Sequence, residues 1–519
     1  RTMKYTLFIP FRNVCFVPDH YCIILDKANK LAQKGHLVDL IYCDGKMLDT
    51  CYYNLHQSKQ VCKGCKRLST YLFKQLPSSP NIHIYPISEF IPKNIDYSFI
   101  NSIQYQSIKD IKGLEYKNAK IGYAALSDYL TQSRNLFPCI DDDFKSFFNN
   151  ILLAAAKVTE CAIAVIKQLK PDIIGVFNSR TVSSRPIVDI CKHHNIQFIS
   201  FEAGFDTNNT ILRKEFVNSE VHNLETNTKM INELWDSSSL PLDDKIRVAS
   251  NFYMRKRENI ASADKVYTNG QINGLLPEDW DKSKHNIIIF NSSEDELAAL
   301  GEEYDKLNLF PSQYQGIKYI FNQFKDNQNI HFYLRIHPNL KDIPYAYHKK
   351  LYDFNIFKNV TIIPGDSPIS TYALMDHADK IITFGSSTGS EANFAGKPVI
   401  LLGCCWYRYL DVAYLANSYE ELDKLILDFN LPAKDKLGAL KWAYYIMNNE
   451  FEKIELYTNH KKVRVKILNK TVTLTKTKVA NKWWAQYITL LYEILGKYAW
   501  MKSDQTFPTK EQPMEELTL

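Results

Sequence analysis

Short apolar runs alternate along the chain with longer stretches whose apolar residues recur at helical spacing. Buried parallel strands are nearly continuous apolar runs, whereas a helix packed on a sheet shows a period of about 3.6 residues. In the first half, strands are predicted at 5–10, 37–43, 172–177 and 197–201, and helices at 19–34, 144–169 and 186–194. This alternation predicts a parallel sheet covered by helices.

The same alternation restarts in the second half. Strands are predicted at 286–290, 331–336, 360–363, 380–384 and 398–402, and helices at 314–325, 370–377 and 388–395. We therefore predict an α/β fold of two Rossmann-like domains, at 3–265 and 280–430, which face each other across a cleft. The first domain would carry a cysteine-bearing insertion.

The tail at 432–519 differs from both domains. Residues 461–482 contain eight basic side chains and no acidic one, in an alternating pattern that predicts a hairpin. Residues 483–500 predict an amphipathic helix with an aromatic face. Two interpretations stay open: this extension packs back onto the first domain, or it contacts anionic lipid headgroups.

Size and composition narrow the class of protein. At 519 residues the chain exceeds one ordinary domain of ~150 residues. Its hydrophobic fraction of 45% and charged fraction of 23% are those of a soluble globular protein. The net charge of +6 is too small to indicate a nucleic-acid partner. The N-terminal residues lack the zones of a signal peptide, so we expect a cytoplasmic protein.

The segment 380–402, KIITFGSSTGSEANFAGKPVILL, runs from an apolar strand through a glycine and serine turn into a helix. Such a turn can present backbone amides and hydroxyls to phosphate oxygens. The candidate donor-binding residues are Gly385, Ser386, Ser387, Thr388 and Gly389, with Glu391 as a partner for ribose hydroxyls. The alternative is an ordinary Ser/Thr helix cap with Glu391 as its capping partner.

The segment 333–340, YLRIHPNL, ends another strand with a cation, an imidazole and a proline. Arg335 and His337 are two residues apart, so they share one face of the strand. Their position at the carboxyl end of a strand is the usual binding edge of such sheets. The two side chains are therefore candidate phosphate ligands, although a capped turn would also explain His337 and Pro338.

Two strands of the first half also end in polar groups. Asn178 and Arg180 follow one strand and are candidates for binding acceptor or phosphate. Glu202 is the candidate catalytic base, because a carboxylate can take the proton of an attacking hydroxyl, and Asp206 is its alternative. An N-cap or a salt bridge would equally explain Glu202.

Cysteine usage fits a reducing compartment, because eleven cysteines are scattered through a large chain. Cys43, Cys51, Cys62 and Cys65 lie in one segment and could hold a structural zinc. Their spacing is not that of a paired ribbon, so free thiols are the preferred interpretation and no metal is predicted.

The two motifs of the second half, RIHPNL and FGSSTGSEANFAGKPVILLG, resemble the donor half of GT-B glycosyltransferases of bacterial capsule and lipopolysaccharide assembly, including the Kdo and sialic acid transferase group. In that group a His-Pro pair and a later Ser-Ser pair hold the nucleotide phosphate. The resemblance carries this role onto His337, Pro338, Ser386 and Ser387. The acidic ribose-binding residue of that group has no clear counterpart here; Asp366 is the nearest candidate.

The resemblance implies transfer of a sugar from a CMP- or UDP-linked donor to a surface polysaccharide or a lipid-linked acceptor. Arg335, His337 and the loop would stabilise the leaving group, so no metal cofactor is required. The expected location is the cytoplasm, at the inner face of the plasma membrane if the tail contacts lipid. The alternatives are a CDP-glycerol-type polyol-phosphate transferase, an epimerase of the same shape, and a non-catalytic glycan-binding protein.

Overall fold

A computed structural model describes residues 1–51, 53–206, 210–260, 266–447, 451–503 and 505–513. The strands are β1 Lys4–Phe8, β2 Leu37–Tyr42, β3 Ile82–Pro86, β4 Ile173–Phe177, β5 Gln197–Phe205, β6 Ile211–Val217, β7 His285–Phe290, β8 Ile330–Arg335, β9 Val360–Ile363, β10 Lys380–Thr383, β11 Val399–Leu401, β12 Tyr414–Leu415, β13 Glu452–Lys453, β14 Tyr457–Ile467 and β15 Lys470–Val479. The helices are α1 Pro18–Gln33, α2 Lys59–Phe73, α3 Phe99–Ser102, α4 Ile108–Lys112, α5 Ile121–Ser133, α6 Asp142–Leu169, α7 Arg185–His193, α8 Leu224–Ser237, α9 Leu242–Arg257, α10 Glu302–Leu307, α11 Gln313–Phe324, α12 Ala346–Lys349, α13 Thr371–His377, α14 Thr388–Phe394, α15 Tyr419–Leu427, α16 Leu437–Met447 and α17 Ala485–Lys502.

The chain divides into two compact units. Of the described residues, the first unit contains those within 1–133, 138–222 and 449–510, and the second contains those within 134–137, 223–448 and 511–519. These bounds differ from the predicted ones: α8 and α9, assigned to the first domain from the sequence, belong to the second unit. Residues 265 and 519, where predicted domains end, lie outside the described residues.

The first unit is built on a seven-stranded sheet in the order β13-β6-β5-β4-β1-β2-β3. Strands β1 to β5 are parallel to one another, whereas β6 pairs antiparallel with β5 and β13 antiparallel with β6 at one edge. The prediction that a strand ends at Phe201 is wrong, because β5 continues to Phe205 and pairs with β6. Strand β6 was not predicted from the sequence.

The second unit is built on a six-stranded parallel sheet in the order β12-β11-β10-β7-β8-β9. In chain order this is 3-2-1-4-5-6, the strand order of a Rossmann fold. The central residues of β7, Ile287–Ile289, and of β10, Ile381–Ile382, are fully buried. Burial on both faces explains why both strands are apolar runs in the sequence. The prediction of two Rossmann-like α/β domains is confirmed by these two sheets.

The tail contributes mainly to the first unit. Strands β14 and β15 form an antiparallel hairpin, and α17 packs on β15 and α2. The hairpin and the helix were both predicted. Helix α16 precedes them but belongs to the second unit, where it packs on α8 and α9.

Helix α6 is long and apolar enough to cross a membrane by length and composition. Of its most apolar window, 67% is buried inside the protein. This degree of burial is typical of the core helix of a domain. It packs on α5 and α7 of the first unit.

Candidate functional site

A cavity of about 90 Å³ lies in the second unit at the carboxyl ends of β7, β8 and β10. Strands β7 and β10 are the neighbours at which the strand order reverses, the place where open α/β sheets bind ligands. The cavity brings together both predicted motifs. Its polar lining consists of Lys256, Tyr267, Thr268, Gln271, Asn291, Arg335, His337, Thr371, Tyr372, Ser386, Ser387, Thr388 and Glu391.

Glu391 is held by three side chains at the wall of this cavity. The Lys256 Nζ lies 2.9 Å from Glu391 Oε1, and the two side chains are 7% and 6% exposed. The Tyr372 hydroxyl donates to Glu391 Oε2 at 2.8 Å, and the Ser387 hydroxyl donates to Oε1 at 3.4 Å. Both carboxylate oxygens are therefore already engaged, so the predicted contact with ribose hydroxyls would have to share these partners.

Arg335 is 2% exposed and donates to the backbone carbonyls of Pro364 and Ser367, at 3.0 and 3.3 Å. Its Nε is buried and has no partner among the described residues. Desolvation lowers the pKa of Arg335 to about 10, with the charge of Asp366 acting in the opposite direction. A buried cation without a paired carboxylate in the described part of the chain favours binding of an anion.

His337 begins the short turn Pro338–Leu340 and caps it, because its Nδ1 accepts from the Asn339 amide at 3.1 Å. Its own amide donates to Asn291 Oδ1 at 2.7 Å. With Nδ1 accepting, the neutral ring carries its proton on Nε2 and can donate from that atom. The ring lies 4.9 Å from that of Tyr267. His337 is thus both the cap of a turn and a lining residue of the cavity.

Three backbone amides of the loop after β10 are already engaged in hydrogen bonds to nearby hydroxyls. The amides of Gly385 and Ser386 donate to Thr383 Oγ1, and that of Thr388 donates to Ser386 Oγ. These three donors were predicted to face phosphate, and in this conformation each has a partner, either Thr383 at the end of β10 or Ser386 in the loop. The side-chain hydroxyls are therefore the main donors that the loop can offer.

Two glycines fix the shape of this loop. Gly385 has a φ of +123°, in the region that favours glycine, and a Cβ there would lie 2.7 Å from the Cys404 carbonyl oxygen. A Cβ on Gly389 would lie 2.2 Å from the Tyr407 hydroxyl, which donates to the Ser386 carbonyl. Packing against Cys404 and Tyr407 therefore explains both glycines without a bound ligand.

Thr388 Oγ1 is buried, and it has no hydrogen-bond partner in the described ranges. A buried hydroxyl without a partner costs about 1–3 kcal/mol. Because Thr388 lines the cavity beside Ser386 and Ser387, a bound oxyanion would provide the missing acceptor. Among the described side chains that line the cavity, this hydroxyl and the Arg335 Nε are the buried polar atoms without a hydrogen-bond partner.

The candidate base Glu202 lies in the first unit, on β5 opposite Lys214 of β6. Its Oε2 accepts from Asn178 Nδ2 at 2.8 Å and its Oε1 from the Ala203 amide at 2.9 Å. Desolvation raises the pKa of Glu202, and the hydrogen bonds from Ala203 and Asn178 and the charge of Lys214 oppose it. Glu202 is therefore inside a hairpin, not at a strand end as predicted.

Asp206 and Arg180 also belong to the first unit. Asp206 follows β5, and its Oδ1 accepts from the amide of Thr210, the residue before β6, at 2.8 Å. The Arg180 amide donates to Asn178 Oδ1 at 3.3 Å. Burial, followed by the charges of Arg180 and Arg185, lowers the pKa of His222 to about 3. Hydrogen bonds link Asn178 to Glu202 and to the Arg180 amide, so these three residues form a polar cluster in the first unit.

All eleven cysteines are free. Within the described ranges, no group of three or more His, Cys, Asp or Glu side chains is arranged to hold a metal ion. The structure therefore does not assemble Cys43, Cys51, Cys62 and Cys65 into the zinc site that the sequence left open.

Lys256 and Tyr372 were not identified from the sequence. Lys256 stands in the basic run Arg255–Arg257 at the end of α9, and cations are common there because they favour the helix dipole. Arg257 forms an ion pair of 2.8 Å with Asp376 of α13, which fastens α9 beside the cavity. In the sequence Lys256 looks like the other basic residues of this run. Only the packing of α9 in the second unit shows that Lys256 pairs with Glu391.

A family profile described as "Capsule polysaccharide biosynthesis protein" matches residues 305–421. This range contains both predicted motifs, and the match confirms their resemblance to capsule biosynthesis proteins. None of the curated proteins compared with the chain matches it.

Several solved structures are similar to this chain. KpsC from Thermosulfurimonas dismutans, a β-Kdo 2,4 transferase, is 13% identical, with 63% of this chain and 87% of that one covered and a TM-score of 0.34. The UDP-GlcNAc 2-epimerase of Neisseria meningitidis bound to UDP-GlcNAc is 15% identical, with 85% and 97% covered and a TM-score of 0.28.

Proposed function

We propose that this protein is a glycosyltransferase of bacterial capsule biosynthesis that uses a nucleotide-activated sugar. The cavity of the second unit would bind the donor phosphate, and the sugar, from a CMP- or UDP-linked donor, would pass to a polysaccharide or lipid-linked acceptor. The observation that carries this proposal is the meeting of a buried cation, an imidazole and three hydroxyls at the switch point of a Rossmann sheet.

The chemistry of the site fits a departing phosphate. Transfer of a sugar leaves negative charge on the phosphate oxygen, and preorganised donors stabilise such charge most when water is excluded. Arg335 and Lys256 supply positive charge, and His337 and Thr388 supply hydrogen-bond donors. We propose that these groups serve without a metal cofactor.

The size of the cavity supports binding of only the phosphate end of the donor. Whole ligands occupy roughly 300–1,000 Å³, whereas this cavity has about 90 Å³. The phosphate end of a nucleotide matches this space.

We propose Glu202 as the base that activates the acceptor, with Asp206 as its alternative. We also propose a location in the cytoplasm.

Incubation of the purified chain with CMP-, UDP- and CDP-linked donors tests this function. We expect slow release of sugar from a CMP- or UDP-linked donor, and loss of that release in His337→Ala but not in His56→Ala, an exposed histidine of the first unit. Release of polyol phosphate from CDP-glycerol alone would reassign the protein to the polyol-phosphate transferases. No release, together with no nucleotide binding, would contradict the proposal.

A further inference from the structure

Helix α17 exposes a row of apolar side chains to solvent and buries two charged ones, Glu493 and Lys497. Tyr487, Leu491, Leu495 and Tyr498 are 58%, 52%, 45% and 42% exposed. Their spacing of three and four residues places them in one stripe along the helix, and Trp484 continues it at the N-terminal end. An ordinary surface helix has the opposite arrangement, with its apolar stripe facing the core.

The inward face of α17 is fixed by buried polar groups. Glu493 and Lys497 form an ion pair of 2.8 Å and are 1% and 6% exposed. The Thr475 amide of β15 donates to both Glu493 oxygens at 2.9 Å, and Lys497 donates to the Thr473 carbonyl. Rotation of the helix would leave these charges buried without partners. The apolar stripe is therefore held toward solvent by the fold.

Cations lie directly beside the helix. A groove of about 650 Å³ between α2 and α17 is lined by Tyr71 and Tyr492 and by five exposed cations, Lys59, Lys63, Lys66, Arg67 and Lys74. Residues 59–74 and 457–479 contain no acidic residue, and α17 contains one, the buried Glu493. An apolar stripe next to a surface of one charge sign is the composition of interfacial membrane segments.

We propose that the stripe on α17 and the cations of α2 dock on an anionic phospholipid bilayer. The aromatic and leucine side chains would enter the interface, and the cations would pair with lipid phosphates. A second copy of the chain is a poorer occupant, since a two-fold contact through this face would bring two cationic surfaces together. A soluble anion would engage the cations and leave the stripe uncovered. This surface does not involve the donor cavity.

Sedimentation of the full chain with vesicles tests the proposal. We expect binding to phosphatidylcholine vesicles that contain phosphatidylglycerol, and much weaker binding to pure phosphatidylcholine. The variant Leu491→Gln/Leu495→Gln should bind about tenfold more weakly, because it removes apolar area from the interface. The variant Lys63→Gln/Lys66→Gln/Arg67→Gln should lose a similar factor and most of its dependence on salt.

Matched controls separate this surface from general effects. Leu242→Gln/Ile356→Gln removes two exposed apolar side chains elsewhere, and Lys93→Gln/Lys109→Gln/Lys325→Gln removes three exposed cations elsewhere; both should bind vesicles like the wild type. All variants should keep nucleotide affinity. Absence of vesicle binding would overturn the proposal. So would an unchanged stripe variant, or a lipid-free dimer that this variant dissociates in sedimentation velocity.

Discussion

The two units place a serine-rich loop at the same position of their sheets, after the strand that is fourth in chain order. In the first unit β4 leads into FNSRTVSS, and in the second β10 leads into FGSSTGS. Both loops then enter a helix, α7 or α14. From composition alone the two loops are equally good candidates for binding a phosphate.

The hydroxyls of the two loops differ in their partners. In the first loop, Thr181 Oγ1 lies 3.1 Å from both Ser183 Oγ and Ser184 Oγ, and Ser179 Oγ accepts from the Val221 amide at 2.9 Å. In the second loop, Thr388 Oγ1 is buried without a partner in the described part of the chain and lines a cavity. The hydroxyls of the first loop bind other groups of the protein, whereas the Thr388 hydroxyl of the second loop is available to a ligand.

The largest effect is expected for Lys256→Met, which leaves Glu391 buried without its cation. Loss of one member of a buried pair costs about 3 kcal/mol, and nucleotide affinity should fall as well. Chemical denaturation measures the change in the free energy of unfolding. The exposed pair Lys229 and Glu233 provides the control, since Lys229→Met should cost less than about 0.5 kcal/mol. Equal effects of the two variants would contradict the buried pairing.

Gly389→Ala should destabilise the second unit by about 2 kcal/mol, because its Cβ would overlap the Tyr407 hydroxyl and displace the loop. Gly396→Ala is a useful contrast, since its surroundings are open and only its φ of +79° opposes a side chain. We expect a cost of about 1 kcal/mol for that variant and no loss of nucleotide binding. Thermal unfolding with and without nucleotide separates the two. A loss of nucleotide binding in Gly396→Ala but not in Gly389→Ala would refute the role given to the loop.

The comparison of the two loops is sharpest in a pair of Thr→Val variants. Thr388→Val removes no hydrogen bond within the described structure, so stability should hold while nucleotide affinity falls about tenfold, or ~1.4 kcal/mol. Thr181→Val should do the reverse, with a loss of about 1 kcal/mol of stability and unchanged affinity. Calorimetry and denaturation on both variants measure the four quantities. The same outcome for both variants would erase the distinction between the loops.

The sequence predicted the Rossmann-like pattern of both halves, because buried parallel strands and amphipathic helices leave strong periodic signals. It also predicted that the motifs around His337 and Ser386 meet, because both follow strands at one edge of a sheet. The antiparallel strand β6 was missed: its residues, ILRKEFV, mix charged and apolar side chains, and its pairing with β5 is a tertiary feature. The prediction that Glu202 ends a strand was wrong because the pairing of β5 with β6 extends β5 beyond it.

The parts of the site that the sequence did not reveal depend on long-range packing. Lys256 precedes Glu391 by 135 positions and reaches it only because α9 joins the second unit. The glycines of the loop fitted a phosphate-binding pattern, yet Gly389 is needed because a side chain there would overlap Tyr407. The position of Tyr407 beside this loop cannot be predicted from the local sequence. Motif order therefore located the site, and packing determined which side chains are left for a ligand.

The most direct test of the central claim is calorimetric titration of CMP, CDP and UDP into the wild type, His337→Ala and His56→Ala. We predict that at least one nucleotide binds the wild type, that His337→Ala weakens this binding at least about tenfold through loss of one charge-assisted donor, and that His56→Ala leaves it unchanged. Equal affinity in all three proteins, or no binding of any nucleotide, would contradict a phosphate site at the switch point of the second sheet.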